Sequence, residues 1–282
     1  MTTAGPHLSR QLEGQVVFIT GAASGIGRGI AEVLHSRGAS LVIVDIDGDA
    51  AAQAASEIAG NSGAALGLAG DVTDSSTLTS AVDAALSRFG EIDICVANAG
   101  VIGGPGFTER RDYSDIDWDA TQAVNLRGVV NTNDAVRGHM AERGRGRIIN
   151  IASHGGRAPR GDGSELGTIQ VPYGVSKAGV IQWTMHLALQ IAKHGITVNA
   201  VCPGTLWTPM WERIAIMRSQ QQTRYLGMDS KDIFDEQIKG TVPLGRPQTP
   251  IDIGNAVAFF ASDDARIITG QALNVNGGAT MN

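Results

Sequence analysis

The chain has 282 residues, 43% hydrophobic and 18% charged, a composition that fits a folded protein with a substantial core and excludes a largely disordered chain. Its 22 basic and 28 acidic residues leave a net charge of −6 without a basic run, which argues against nucleic acid or an anionic membrane as partner. The first fourteen residues lack the apolar core of a signal peptide, and no run approaches the ~20 apolar residues of a membrane span, so a cytoplasmic protein is expected.

In chain order, β-branched runs alternate with helical patterns. Strands are predicted at Val16–Thr20, Leu41–Asp45, Leu66–Ala69, Ile92–Asn98, Arg147–Ile151, Thr197–Val201 and Leu273–Val275, most of them apolar on both faces as in a buried parallel sheet. Ile26, Ile30, Val33 and Leu34 recur at helical spacing, and Asp49–Ala59, Asp74–Phe89, Trp118–Met140, Tyr173–His194 and Asp252–Ala261 also read as helices. The alternation implies an α/β fold, a parallel sheet with helices on both faces, in one domain spanning residues 1–282 with a tail at 1–11. Three polar segments break the rhythm: Val101–Asp115, His154–Val171 and Thr205–Lys239. Each follows the carboxyl end of a strand, where doubly wound sheets bind ligands, and residues 205–239 read as a lid. Cys95 and Cys202 lie in apolar runs and read as buried small hydrophobes suited to a reducing compartment.

The first strand runs into Gly21-Ala22-Ala23-Ser24-Gly25-Ile26-Gly27 and then a helix. Glycine there permits a sharp turn and lets the backbone approach a pyrophosphate, which the free amides of the helix N-terminus then face. The second strand ends in Asp45, whose carboxylate can hold both ribose hydroxyls of NAD and repels the 2′-phosphate of NADP. A turn or capping aspartate is the blander reading of Asp45. A calcium loop starting at Asp45 is dismissed because Ser56 stands where the bidentate Glu belongs. No cluster has zinc-ligand spacing, so no metal is expected.

Tyr173 and Lys177 stand four apart on a predicted helix and share a face. A phenol ionises near pH 10, so a base at neutral pH needs roughly 4 kcal/mol of phenolate stabilisation. A neighbouring ammonium and the helix N-terminus, which Pro172 marks, both act in that direction. Tyr173 would then take the alcohol proton as a hydride leaves the same carbon.

With the glycine cluster in the spacing T-G-x-x-x-G-x-G, Asn98-Ala99-Gly100 after the fourth strand, Ser153 after the fifth, Tyr173-x-x-x-Lys177, Pro203-Gly204 and Asn276-Gly277-Gly278, the chain resembles the short-chain dehydrogenase/reductase family from about Leu12 onward. The resemblance implies a Rossmann-type doubly wound sheet of about seven strands and a set of roles. Gly21, Ser24, Gly25, Ile26 and Gly27 would line the pyrophosphate, Asp45 the adenosine ribose, and Asp71 and Val72 the adenine. Asn98, Ala99 and Gly100 would wall the inner ribose, Lys177 would reach the nicotinamide ribose, and Pro203, Gly204, Leu206 and Thr208 would hold the carboxamide end. Ser153 would bind the substrate oxygen, and Asn125 would hold a water linking Lys177 to solvent. Helices 118–140 and 173–194 would pair subunits into a homotetramer or homodimer.

His154, Trp207 and Trp211 are candidates to touch substrate, with ordinary loop or lid packing as the alternative; His186 reads as helix-face packing. The lid start Thr208–Glu212 and the ending Val275–Gly278 look similar to members oxidising polyols, sugars or vicinal diols, and Arg157, Arg160, Asp162 and Glu165 could meet hydroxyls. The alternative is a ketone reductase of 3-oxoacyl thioesters or hydrophobic cyclic substrates. A non-catalytic NAD-binding sensor is the third reading, disfavoured because Ser153, Tyr173, Lys177 and Asn125 are all present.

Overall fold

The computed structural model describes residues 11–110, 112–158 and 171–281. The expected loop residues Arg160, Asp162 and Glu165 and most of the expected tail fall outside these. Gln11 does not behave as tail: it donates to Asp264 at 3.2 Å and accepts from Arg37 at 3.1 Å.

Seven strands, β1 (Val16–Thr20), β2 (Ser40–Asp45), β3 (Ala65–Ala69), β4 (Ile94–Ala97), β5 (Gly146–Ile151), β6 (Ile196–Pro203) and β7 (Ala272–Val275), form one parallel sheet in the order β3-β2-β1-β4-β5-β6-β7. The order reverses between β1 and β4, which opens a crevice beyond the carboxyl ends of those strands. Alternation sets the two layers. Val17, Ile19, Leu41 and Ile43 face one apolar core, and Val16, Phe18, Val42 and Val44 face the other.

The first core is closed by α1 (Gly25–Ser36), α2 (Gly48–Ala59) and α9 (Pro250–Ala261), the second by α3 (Ser75–Phe89), α5 (Gly128–Arg143) and α6 (Val171–Ile191). Glycine lets α1 and α9 touch, since a Cβ on Gly29 would lie 2.3 Å from Pro250 Cβ.

The helix expected at Trp118–Met140 is not uniform. It is α4 (Asp115–Thr121), a π-helical stretch Gln122–Arg127, then α5. The wide turn carries Asn125, in keeping with the tendency of such insertions to mark functional positions. Helix α6 starts at Val171, with Pro172 in its first turn. The lid contains α7 (Pro209–Gln221) and α8 (Ser230–Thr241), packed on Phe234, Ile238 and Val242. His186 is exposed and bonded to Gln182 at 3.1 Å, so it packs no core face. Cys95 and Cys202 are free and buried. No helix among the described residues is long and apolar enough to cross a membrane.

Candidate active site

A cleft of about 1770 Å³ runs along the carboxyl edge of the sheet from Asp45 past Tyr173 to the lid. Its floor at one end is the β1–α1 turn. Gly21 has φ +64 and Gly25 φ +58, conformations that side chains resist. A Cβ on Gly21 would lie 2.6 Å from Ala99 Cα, and one on Gly27 would lie 2.3 Å from the Gly21 carbonyl oxygen. Asn98 is the clamp of this turn, donating through Nδ2 to Thr20 O (3.0 Å) and Gly21 O (2.7 Å). Ser24 is the N-cap of α1 but makes no capping bond, whereas Asp47 and Asp74 cap α2 and α3. The α1 N-terminus therefore keeps a hydroxyl and backbone amides for an anion.

Asp45 accepts from Ala23 N at 3.1 Å and Asp47 N at 3.3 Å, which fixes its carboxylate on the cleft edge. Asp71 accepts from Thr73 N (2.8 Å) and Thr73 Oγ1 (2.7 Å), and Val72 O accepts from Asn131 Nδ2 at 2.9 Å. Ser24, Ile26, Asp71, Val72, Ala99 and Gly100 all line this end, and no cationic side chain does so among the described residues.

At the middle of the cleft, β5 delivers Ser153 and α6 delivers Tyr173 and Lys177. Ser153 Oγ accepts from Gly155 N at 3.1 Å and lies beside Tyr173 on the cleft wall, where it favours the charged form of the phenol. Lys177 is buried, donates from Nζ to Ile151 O at 2.8 Å, and sits 5.9 Å from the Tyr173 ring centre. Burial pulls its ammonium from 10.5 down to about 8.

Burial also pushes the Tyr173 phenol above its ordinary value, opposed by Ser153 beside it. The net direction is therefore opposite to the lowering expected from the ammonium and the helix end, because lost hydration is the largest contribution. Below lies Cys202, which takes a hydrogen bond from Ser153 N–H; burial raises its thiol despite Arg157 and Lys177 nearby.

Asn125 does not line the cleft. It accepts from Val101 N (2.7 Å) and spends its Nδ2 hydrogens on Val101 O (2.8 Å) and Ser176 Oγ (3.0 Å), so its side chain ties the π-helical turn to the end of β4 and to α6. Pro203, Gly204, Leu206 and Thr208 line the wall beside Lys177, and Thr208 Oγ1 caps α7 by accepting from Trp211 N at 3.2 Å.

The lid compartment is walled by Ile102, Phe107, Met210, Trp211 and Ile214 and, beside them, by Arg213, Arg218, Arg224, Glu236 and Gln237, and His154 also lines the cleft. Trp207 is not among the lining residues: its ring packs edge-on against Phe234 at 5.2 Å and beneath Lys231. Trp211 touches the same Phe234 at 4.9 Å but does line the cleft.

Three contributors were not singled out in the sequence. Asp117, fully buried, accepts from Gly104 N (2.9 Å), Ser114 N (2.9 Å) and Arg110 Nη2 (2.5 Å), which shapes the wall from Gly103 to Arg110. Burial pushes its carboxyl up, and those bonds outweigh the push and hold it below the usual value. Gln221 Nε2 donates to Thr108 O (3.2 Å) and Arg110 O (3.3 Å), joining that wall to α7. Gln248 pairs its backbone with Leu206. The Ser114-x-x-Asp117 capping pattern is the one signal that could have pointed to the first of these.

Comparison with known proteins follows the same lines. Residues 21–280 match the family model described as enoyl-(acyl carrier protein) reductase. The chain is 36% identical over 270 residues to BbsD of Thauera aromatica, a subunit of a hydroxy(phenyl)methyl-succinyl-CoA dehydrogenase, with 96% of this chain and 98% of that protein covered. The crystal structure of levodione reductase superposes with a TM-score of 0.83 at 30% identity, covering 95% of this chain and 98% of that one. A 3-ketoacyl-(acyl-carrier-protein) reductase from Brucella melitensis, complexed with NADH, superposes at 0.78 with 35% identity, covering 96% and 100%.

Proposed function

As the chain belongs to the short-chain dehydrogenase/reductase family and is an oxidoreductase, we propose that it moves a hydride between NAD and a secondary alcohol or its ketone, with Tyr173 as general acid and base. The observation that carries the reading is one cluster: Ser153 and Tyr173 side by side on the cleft wall, with Lys177 buried four residues on. The cradle fits a dinucleotide, since Gly21 and Gly27 leave no room for a Cβ and the N-cap of α1 is unspent. Gly21, Ser24, Gly25, Ile26 and Gly27 would hold the pyrophosphate, Asp45 the ribose, Asp71 and Val72 the adenine, and Lys177, Pro203, Gly204, Leu206 and Thr208 the nicotinamide end. When bound, nicotinamide supplies or accepts the hydride.

The residues of the chain do the rest. Ser153 presents its hydroxyl to the substrate oxygen, and Tyr173 takes the alcohol proton during oxidation or returns it during reduction. Lys177, held by Ile151 O, sets the positive field in which the phenolate forms. Asp45 supports NAD over NADP, because a carboxylate stands where a 2′-phosphate would go and no cation lines that end among the described residues. The exposed apolar residues Val175, Met185 and Leu189 on α6 support pairing of subunits through α5 and α6. The two free, buried thiols suit a cytoplasmic address. The single seven-stranded sheet supports a one-domain protein with residues 205–239 as its lid.

Ile102, Phe107, Met210, Trp211 and Ile214 line the lid compartment together with the charged and amide side chains of Arg213, Arg218, Gln222, Arg224, Glu236 and Gln237. The apolar groups support a secondary alcohol or ketone on a hydrophobic cyclic, aryl or acyl body, and the polar groups beside them suit a body that also carries polar or charged substituents. The test follows NADH absorbance with purified protein on aryl and cyclic alcohols, hydroxyacyl thioesters, sugar alcohols and vicinal diols, with Tyr173→Phe alongside. Turnover of apolar alcohols that Tyr173→Phe lowers at least about a hundredfold, with NADH binding intact, is expected. Turnover confined to polyols would overturn the substrate class, and an active Tyr173→Phe would overturn the mechanism.

A further inference from the structure

We propose that Gln248 is a positioning residue for the cofactor: its side-chain amide lacks partners in the conformation described and gains them when the segment Gly204–Leu206 closes on the reacting ring. The inference rests on the nicotinamide-cofactor reading above.

Gln248 is only 8% exposed, and neither Oε1 nor Nε2 has a hydrogen-bond partner among the described residues. An amide that gives up water and gains nothing is costly, so a fold seldom keeps one without a use. Nor can the side chain swing out. The Gln248 backbone pairs with Leu206, and the next residue, Thr249, caps α9, which is docked against α1 through the Gly29–Pro250 contact. Oε1 lies 2.4 Å from the point where a Cβ on Gly204 would stand, and Nε2 lies 3.4 Å from the matching point on Gly277.

Neighbouring polar groups are already committed. Gly204 N donates to Val275 O at 3.0 Å, Asn276 Oδ1 accepts from Gly278 N at 3.0 Å, and Asn276 Nδ2 donates to Thr280 O at 3.0 Å. With α9 docked on one side, a peptide group can reach the amide from the other side by rotation within Gly204–Thr205, between the bond of Gly204 N to Val275 O and the pairing of Leu206 with Gln248. That segment lines the cleft just after Pro203, on the wall that also carries Ser153 and Lys177. A ring delivered to Tyr173 must therefore press on the stretch of backbone that overlies Gln248.

The thermodynamic signature is unusual. If the penalty of the orphaned amide is carried by the uncomplexed protein and relieved on binding, it contributes to cofactor affinity. Gln248→Leu, of similar volume and without polar atoms, should then raise the melting temperature measured without cofactor while weakening the NADH Kd by about tenfold, the factor that one recovered hydrogen bond supports. KM for NAD should rise in parallel, with KM for the alcohol and kcat at saturating NAD unchanged. Gln248→Met provides a second apolar replacement should the leucine variant fail to fold.

A higher melting temperature with an unchanged NADH Kd would overturn the proposal and leave the amide a local defect. Weaker binding with a lower melting temperature would overturn it too, as the mark of general damage. Should the wild-type protein bind neither NADH nor NADPH, the cofactor reading fails and this inference falls with it; wild-type binding matched by the variant sinks the inference alone.

Discussion

Lys177 carries a cost that can be removed and measured. Its ammonium is almost fully buried with one carbonyl, Ile151 O, as its hydrogen-bond acceptor among the described residues, and burial lowers its pKa from 10.5 to about 8. That fall corresponds to about 3 kcal/mol by which folding disfavours the charged form. Lys177→Met keeps the length and the apolar stem. It removes the charge at the expense of the bond to Ile151 O, worth about 1 kcal/mol. The variant should therefore be more stable by about 2 kcal/mol at pH 7, roughly 5 °C in Tm for a chain of this size, and have lost turnover. The pH sign follows from the depressed folded pKa. Below pH 8 both folded and unfolded chains hold the proton, and the whole cost is present. Between about 8 and 10.5 the folded protein releases it first and the cost fades; above 10.5 it is gone. Thermal unfolding followed by circular dichroism at pH 7 and pH 10 reads this directly. A variant no more stable than the parent at pH 7, or an advantage equally large at pH 10, would refute the claim that this ammonium is held against its hydration.

The other expectations concern the two ends of the cleft. Asp45→Ser should relax cofactor choice, raising the ratio of kcat/KM with NADP to that with NAD by about tenfold or more; an unchanged ratio in steady-state assays would remove Asp45 from cofactor selection. Asp117→Asn leaves the Arg110 guanidinium without its carboxylate and loosens the wall from Gly103 to Arg110, so Tm should fall by an amount equivalent to about 2 kcal/mol. KM for the alcohol should rise several-fold while KM for NAD holds, and equal change in both would count against a role confined to the substrate wall.

What could be read in the sequence is set by how local each cause is. Every predicted strand lies within two residues of the observed one, because a buried parallel strand declares itself by an unbroken run such as Val16–Thr20. The cradle of Gly21, Gly25 and Gly27 was legible for a similar reason: positive φ and closeness to Ala99 exclude every other residue type at Gly21. The apolar wall was not. Phe107 meets Ile214 and Met217 across more than a hundred residues of chain, and nothing near Phe107 in sequence tells a wall residue from a core residue. Trp207 and Trp211 show the same limit. The spacing of four suggests one helical face, but Trp207 lies before the Thr208 cap of α7; both rings meet Phe234, and only Trp211 reaches the cleft. The π-helical turn at Asn125 escaped too, since one inserted residue leaves the apolar spacing of Trp118–Met140 almost unchanged while redirecting one amide to Val101.

Tyr173 shows the most consequential gap between spacing and environment. The four-residue interval to Lys177 fixes that both side chains share a face, and so that a cation stands near the phenol. It carries no information on depth. In the folded protein Lys177 is buried and Tyr173 half-buried on the cleft wall, and lost hydration drives the ammonium toward its neutral form and the phenol away from its charged one. The two shifts bring the acidities of Lys177 and Tyr173 out of their usual order, with the ammonium now the stronger acid of the pair. A proton leaving Lys177 and one leaving Tyr173 are then competing events on one cleft wall, where losing the first removes the field that favours the second. With its phenol above the ordinary value, Tyr173 is protonated at neutral pH. On the function proposed above, that suits a residue which gives or takes its proton only as the substrate oxygen changes charge, with Ser153 on the same cleft wall to receive that oxygen.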